Sequence, residues 1–120
     1  MSTRDTGSLW ENAALRYLQN AGLVLLECNF HCRLGEIDLI LSEGDTIVFV
    51  EVRYRGDAAH GDGSASVGAA KQTKLVRAAQ LWLQARPQFA TRPCRFDVIG
   101  CAGTPQRAQF DWVRNAFDAL

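Results

Sequence analysis

The chain has 120 residues, the length of one domain, and can bury a core without disulfides or a structural metal. Hydrophobic residues make up 48% and charged residues 22%, the balance of a globular fold. Thirteen lysines and arginines cancel thirteen aspartates and glutamates, so bulk charge marks no nucleic-acid binder, and no apolar run reaches the length of a membrane span.

Met1–Gly7 is short and polar, reads as a flexible tail and has no apolar signal core, so a cytoplasmic location without membrane attachment is expected. The pattern Trp10, Ala14, Tyr17, Leu18, Ala21 predicts a helix over Leu9–Ala21. Ser8 with Glu11 reads as a capping box, and Gly22 as the stop. Leu23–Cys28, Gly35–Leu41 and Thr46–Arg53 read as strands, the last two joined by the hairpin connection Ser42-Glu43-Gly44-Asp45. Ile47-Val48-Phe49-Val50 is apolar on both faces and belongs in mid-sheet.

Residues 55–66, rich in Gly, Ala, Ser and Asp, read as a mobile loop. A long helix follows from about Val67 to Arg86, striped by Leu75, Val76, Ala79, Trp82 and Leu83 and stopped by Pro87. Arg95–Gly100 reads as a fourth strand and Phe110–Val113 as a short fifth. The order αβββαβ, with a late extra element and no internal linker, predicts a single domain folded as a three-layer α/β sandwich.

Cys28, Cys32, Cys94 and Cys101 form no C-x2-C pair; buried free thiols fit better than a zinc site made from Cys28, His31 and Cys32. Charge is segregated. Glu36, Asp38, Glu43, Asp45, Glu51, Asp57 and Asp62 crowd one stretch; Lys71, Lys74, Arg77, Arg86, Arg92 and Arg95 occupy the next. The first suits a cation and the second phosphates, although solvated faces give the same pattern.

The chemistry centres on the hairpin. With Leu41 opposite Thr46, paired residue numbers sum to 87, and any odd sum puts Glu36, Asp38, Phe49, Glu51 and Arg53 on one face. Diagonal neighbours on a face lie about 7–8 Å apart, close enough for carboxylates to share an ion. Carboxylates grouped in an apolar sheet repel and lose hydration, which a hard cation such as Mg²⁺ offsets. That ion would polarise a phosphoryl oxygen and acidify a bound water. The competing reading pairs Glu36 or Glu51 with Arg53 or Arg55 at a sheet edge. Glu11 lies on the first helix's stripe and Gln72 on the second's, each able to face the sheet; a capping box and a backbone hydrogen bond are their plainer roles. Lys71, Lys74 and Arg77 project where phosphates could be met.

Gly35-Glu36-Ile37-Asp38-Leu39-Ile40 and Phe49-Val50-Glu51-Val52-Arg53-Tyr54-Arg55 resemble the YraN-type uncharacterised protein family. Trp10-Glu11, Val67 with Lys71-Gln72, Cys94-Arg95-Phe96-Asp97-Val98 and Asn115-Ala116-Phe117 carry the resemblance across nearly the whole chain. It implies a restriction-endonuclease-like fold, a three-layer α/β/α sandwich with a mixed sheet, similar to archaeal Holliday-junction resolvases. It further implies a Mg²⁺- or Mn²⁺-dependent endonuclease acting on DNA, with branched DNA as substrate and a homodimer as the form where the resolvase analogy extends that far. Asp38 and Glu51 become metal ligands, Glu11 an accessory acid, and Gln72 a catalytic glutamine that Val76 follows where some relatives carry tyrosine; Glu36, from its place on the hairpin, or Glu11 would reach the metal through water. Arg53 stands at the lysine of the (D/E)-x-K signature; with Arg55, Lys71 and Lys74 it would meet nucleic acid. Arginine keeps its proton and is no general base, but it clamps phosphate bidentately. The alternatives are a DNA-binding module without catalysis and a protein-interaction adaptor presenting Trp82 or Trp112.

Overall fold

Four successive apolar residues need cover on both sides, and Ile47, Val48, Phe49 and Val50 find it at the centre of a five-stranded sheet. The computed structural model describes residues 3–56 and 67–118, with side chains over 8–54 and 67–118. Its elements are α1 (Thr3–Asn20), β1 (Val24–Cys32), β2 (Gly35–Glu43), β3 (Thr46–Gly56), α2 (Ala69–Gln84), a 3-10 turn at Pro87–Phe89, β4 (Cys94–Thr104) and β5 (Arg107–Phe117). Spatial order follows chain order, and only β3 and β4 run parallel, joined by the crossover through α2. The chain is thus α/β with a mixed sheet and two helices.

Alternation along β3 divides the core. Val48 and Val50 pack with Trp10, Ala14 and Leu18 of α1, while Ile47 and Phe49 pack with Leu75, Ala78, Ala79 and Trp82 of α2. Gly22 ends α1 as expected. At φ 102° it follows the last turn, the Leu23 N–H reaches the Leu18 carbonyl and the Gly22 N–H that of Gln19, which is a Schellman ending.

Several expectations need correction. The helix begins at Thr3 rather than Leu9, so the expected tail is partly helical and Ser8 with Glu11 forms no capping box. Tyr17 and Ala21, expected on the buried stripe, are exposed. The fourth and fifth strands are long arms of one hairpin, paired from Phe96–Phe117 to Thr104–Arg107. Of the cysteines only Cys101 is buried; Cys28 and Cys94 are exposed and Cys32 is half-buried, because β1 is an edge strand and Cys94 opens β4 at the sheet's margin. Trp82 is buried on Phe49 and cannot present an adaptor surface. The loop expected over 55–66 lies outside the described residues, apart from the backbone of Arg55 and Gly56, which continues β3.

The β2–β3 register sums to 89, from Leu39–Val50 to Glu43–Thr46, two more than the expected 87 and still odd. Gly44 and Asp45 alone make the turn. The face rule fails at one place. Leu39 and Leu41 join the α1 cluster, yet Ile37 joins the α2 cluster with Ile40. Its partner Phe30 also packs on the α2 side, whereas Cys28 pairs with Leu39. Both strands therefore change face between these pairs, at Asn29, which takes the left-handed φ of 54°, and Asp38. Such an irregularity re-aims side chains and ends pairing.

Candidate active site

Asp38 stands where β2 leaves β3. The ladder stops at Leu39–Val50, and beyond it Asp38 Oδ2 accepts the Val52 N–H at 2.8 Å. A side chain thus does what a strand carbonyl does elsewhere, and the two strands are free to part. Glu51, the residue before Val52, hydrogen-bonds to the Asp38 carboxylate through its own carboxyl.

Their electrostatics follow from that placement. The Glu51 side chain is 12% exposed. Loss of hydration, then the Asp38 charge, push Glu51 up to about 7, against the pull of Lys71. Burial likewise raises Asp38, opposed by the hydrogen bonds from Val52 and Glu51. The two carboxyls thus behave as one acid–carboxylate pair sharing a proton. Lys71 Nζ, reaching from the first turns of α2, lies 3.4 Å from Glu51 Oε2.

Glu51, Val52, Arg53, Tyr54, Gly68 and Lys71 line a cleft of about 410 Å³. Glu11 approaches from α1. Burial raises its carboxyl and the Asp38 charge raises it further, while a hydrogen bond with Asn29 opposes both. Glu36 acts on Asp38 and Glu11 through its charge, and its Oε2 lies 2.9 Å from His31 Nδ1. The structure therefore brings together Asp38, Glu51, Arg53 and Lys71, with Glu11 and Glu36 beside Asp38.

Other named residues lie apart. Gln72 Nε2 donates to the Val67 carbonyl at 2.7 Å, the plainer of its two roles, and the residue lines a groove with Val76, Arg77 and Asp118. Lys74 opens onto a different cleft, with Arg33. Arg55 continues β3, but its side chain lies outside the described residues. Cys32 Sγ donates to the Gly35 carbonyl at 3.3 Å. Sequence reasoning missed Asn29, whose left-handed backbone has no periodicity to announce it, and the role of Asp97 as acceptor for Trp112, Asn115 and Arg95.

The donor set suits a hard divalent cation. A carboxyl pair that retains a proton because it lacks water loses its repulsion when a cation replaces that proton. Among the described residues no three His, Cys, Asp or Glu side chains group closely enough to cage an ion. Protein ligation would rest on Asp38 and Glu51, with Glu11 and Glu36 through water, as suits an ion that keeps several waters.

The comparisons with known proteins agree with the motifs. The model of the uncharacterised protein family UPF0102 matches residues 10–101. A UPF0102 protein of Yersinia enterocolitica is 51% identical over 120 residues, covering 99% of each chain. Similar proteins from Stutzerimonas stutzeri, 48% identical with 98% of each chain covered, and from Chromohalobacter salexigens, 47% identical with 98% and 94% covered, carry the same family description. The match holds from Trp10 through the acid pair to β4, and the chain belongs to the UPF0102 family.

Proposed function

We propose that the chain is a divalent-metal-dependent phosphodiesterase acting on DNA, built on the three-layer, restriction-endonuclease-like plan its motifs resemble. One observation carries the reading: two carboxyls stripped of water, Asp38 and Glu51, meet where the sheet opens, beside an arginine and a lysine. Asp38 and Glu51 would hold Mg²⁺ or Mn²⁺, Glu11 and Glu36 would steady its waters, and Gln72 would support the α2 entry from Val67. When bound, the ion supplies a Lewis acid for a phosphoryl oxygen and a water of lowered pKa. Arg53 would orient the scissile phosphate from the same cleft, and Lys71, 3.4 Å from Glu51, would offer its charge to phosphate. Lys74 and Arg55 are the further phosphate contacts this reading would assign. Cytoplasmic DNA is the expected substrate and a homodimer the expected form on junctions; no described helix is long and apolar enough to cross a membrane.

The test incubates purified protein with single-stranded, duplex and four-way-junction DNA plus Mg²⁺ or Mn²⁺. Cleavage is expected, with loss on chelation and in Asp38→Ala and Glu51→Ala. Failure to cut any of these substrates, or cutting that survives Asp38→Ala, removes the proposal. Arg53 favours one rival: an arginine in place of lysine leaves the site without a ready base, as in a binding module that has lost catalysis. That rival predicts salt-dependent DNA binding with no turnover.

A further inference from the structure

A second cleft adjoins the acid pair. It encloses about 400 Å³, and its charged walls are Arg33 from the β1–β2 turn, Glu36, and Lys71 and Lys74 from α2, with His31 at the rim. Three full cations thus face one carboxylate, and Glu36 is already engaged with His31 at 2.9 Å. Lys71 lines both clefts and forms the wall between them.

The fold builds this juxtaposition. Gly35 holds φ at +154°, and a Cβ there would stand 3.2 Å from the Lys74 carbonyl oxygen. The missing side chain lets the β1–β2 turn seat itself against α2, which sets Arg33 beside Lys74. Lys71 and Lys74 are three residues apart on α2 and so lie on neighbouring turns, about 5–6 Å apart at Cβ. Both Arg33 and Lys74 are exposed, so their charges remain available to solvent-borne ligands. A row of cations leading away from a phosphodiester-cutting centre suits the next phosphate of the same strand, since backbone phosphates set the position of a nucleic acid.

We infer that Arg33, Lys71 and Lys74 form a subsite for the phosphodiester adjoining the one at Asp38 and Glu51, with Arg33 as its specific contact. This rests on the proposed nucleic-acid substrate but not on catalysis, so binding tests it separately from cleavage. The affinity of a fluorescently labelled single-stranded oligodeoxynucleotide is measured by anisotropy, with EDTA present, from low to moderate salt. On a single strand each neutralised phosphate contributes about 0.7 to the slope of log affinity against log salt. Arg33→Gln/Lys74→Gln is expected to weaken binding several-fold at low salt and to flatten the slope by about 0.7, the share of one phosphate. Arg107→Gln, which opens β5 three strands across the sheet from β2, is expected to leave both unchanged. Circular dichroism confirms that the variants are folded, and the single variants replace the double one where it is not. An unchanged slope in Arg33→Gln and Lys74→Gln overturns the subsite, as do an equal loss in Arg107→Gln and absence of wild-type binding at low salt. A flattened slope in a protein that never cuts DNA sustains the subsite and removes the nuclease reading alone.

Discussion

Two aspartates show how one local device serves opposite ends. Asp38 and Asp97 each accept a strand N–H, from Val52 and Asn115, and each lies near an asparagine at left-handed φ, Asn29 at 54° and Asn115 at 50°. Their neighbours differ. Asp97, fully buried, also receives the Trp112 indole N–H at 2.9 Å and the Arg95 guanidinium at 3.0 Å, so its charge is answered on every side. Arg95 continues to Glu43 at 2.9 Å, and Glu43 to Arg114 at 2.8 Å, tying the β2–β3 turn to β5. Asp38 faces another carboxyl instead. The first arrangement holds the sheet; the second leaves an electrostatic demand for a cation. Asp97→Ala removes the acceptor of the Trp112 indole and the Asn115 N–H and leaves the half-buried Arg95 with Glu43 alone, which costs about 3–5 kcal/mol. Urea unfolding measures it, and a loss below 1 kcal/mol would show that the network relaxes around the gap. The Arg95-Phe96-Asp97 and Asn115-Ala116-Phe117 motifs were visible in the sequence, but their joint role was not, since only the β4–β5 pairing brings residues 18 apart into one hydrogen bond.

At the scale of elements, what was legible followed from periodicity and what was not followed from backbone exceptions. Ile47–Val50 announced a central strand because burial on both faces requires apolar residues at every position. The odd β2–β3 register followed from side-chain parity, although Asn29 and Asp38 then reversed the faces and moved Glu36 out of line with Glu51. Ser8 and Glu11 imitated a capping box because local spacing carries no knowledge of where the helix starts. The β4–β5 hairpin was hidden because its two-residue turn, Pro105-Gln106, lacks the Asn-Gly or Asp-Gly pattern that announces such turns; Thr104 pairs with Arg107 across it. Gly103 sits at φ 84°, and a Cβ there would lie 2.6 Å from the Arg107 carbonyl oxygen. Gly103→Ala must shift backbone, with a cost of about 1–3 kcal/mol. Gly44, also at positive φ but with nothing within 4 Å of a Cβ, tolerates Asn, which adopts that conformation readily, within about 0.5 kcal/mol. Chemical denaturation of both variants compares them, and equal losses would mean that conformation alone, not contact, governs Gly103.

Across the whole molecule, α1 clusters with Val48 and Val50 and α2 with Ile47 and Phe49, and the acid pair sits where the β2–β3 ladder opens. Stability and metal affinity are therefore in opposition at Glu51. Its carboxyl has an ordinary value of 4.5 and is held at about 7 in the fold, so between those values the native state binds more protons than the unfolded chain. Stability then falls as pH rises: the contribution is fully present below about 4.5, fades through the interval and is lost above about 7. A shift of this size corresponds to about 3 kcal/mol as an upper figure, because each unit is worth about 1.4 kcal/mol and the partner Asp38 shares the proton. Raised Asp38 acts in the same direction. Thermal unfolding of the wild type in EDTA should therefore give a lower Tm at pH 8 than at pH 5.5. Glu51→Gln, which carries no charge into the pocket, should have the flatter profile and the higher Tm at pH 8. Under the metal-site reading, Mn²⁺ at pH 8 raises the wild-type Tm by binding the native state alone, raises it less at pH 5.5 where protons compete, and leaves Glu51→Gln nearly unmoved. A wild-type Tm that rises from pH 5.5 to 8 in EDTA would show that the pair is not held protonated by burial. A Mn²⁺ shift equal in wild type and Glu51→Gln would place the ion elsewhere.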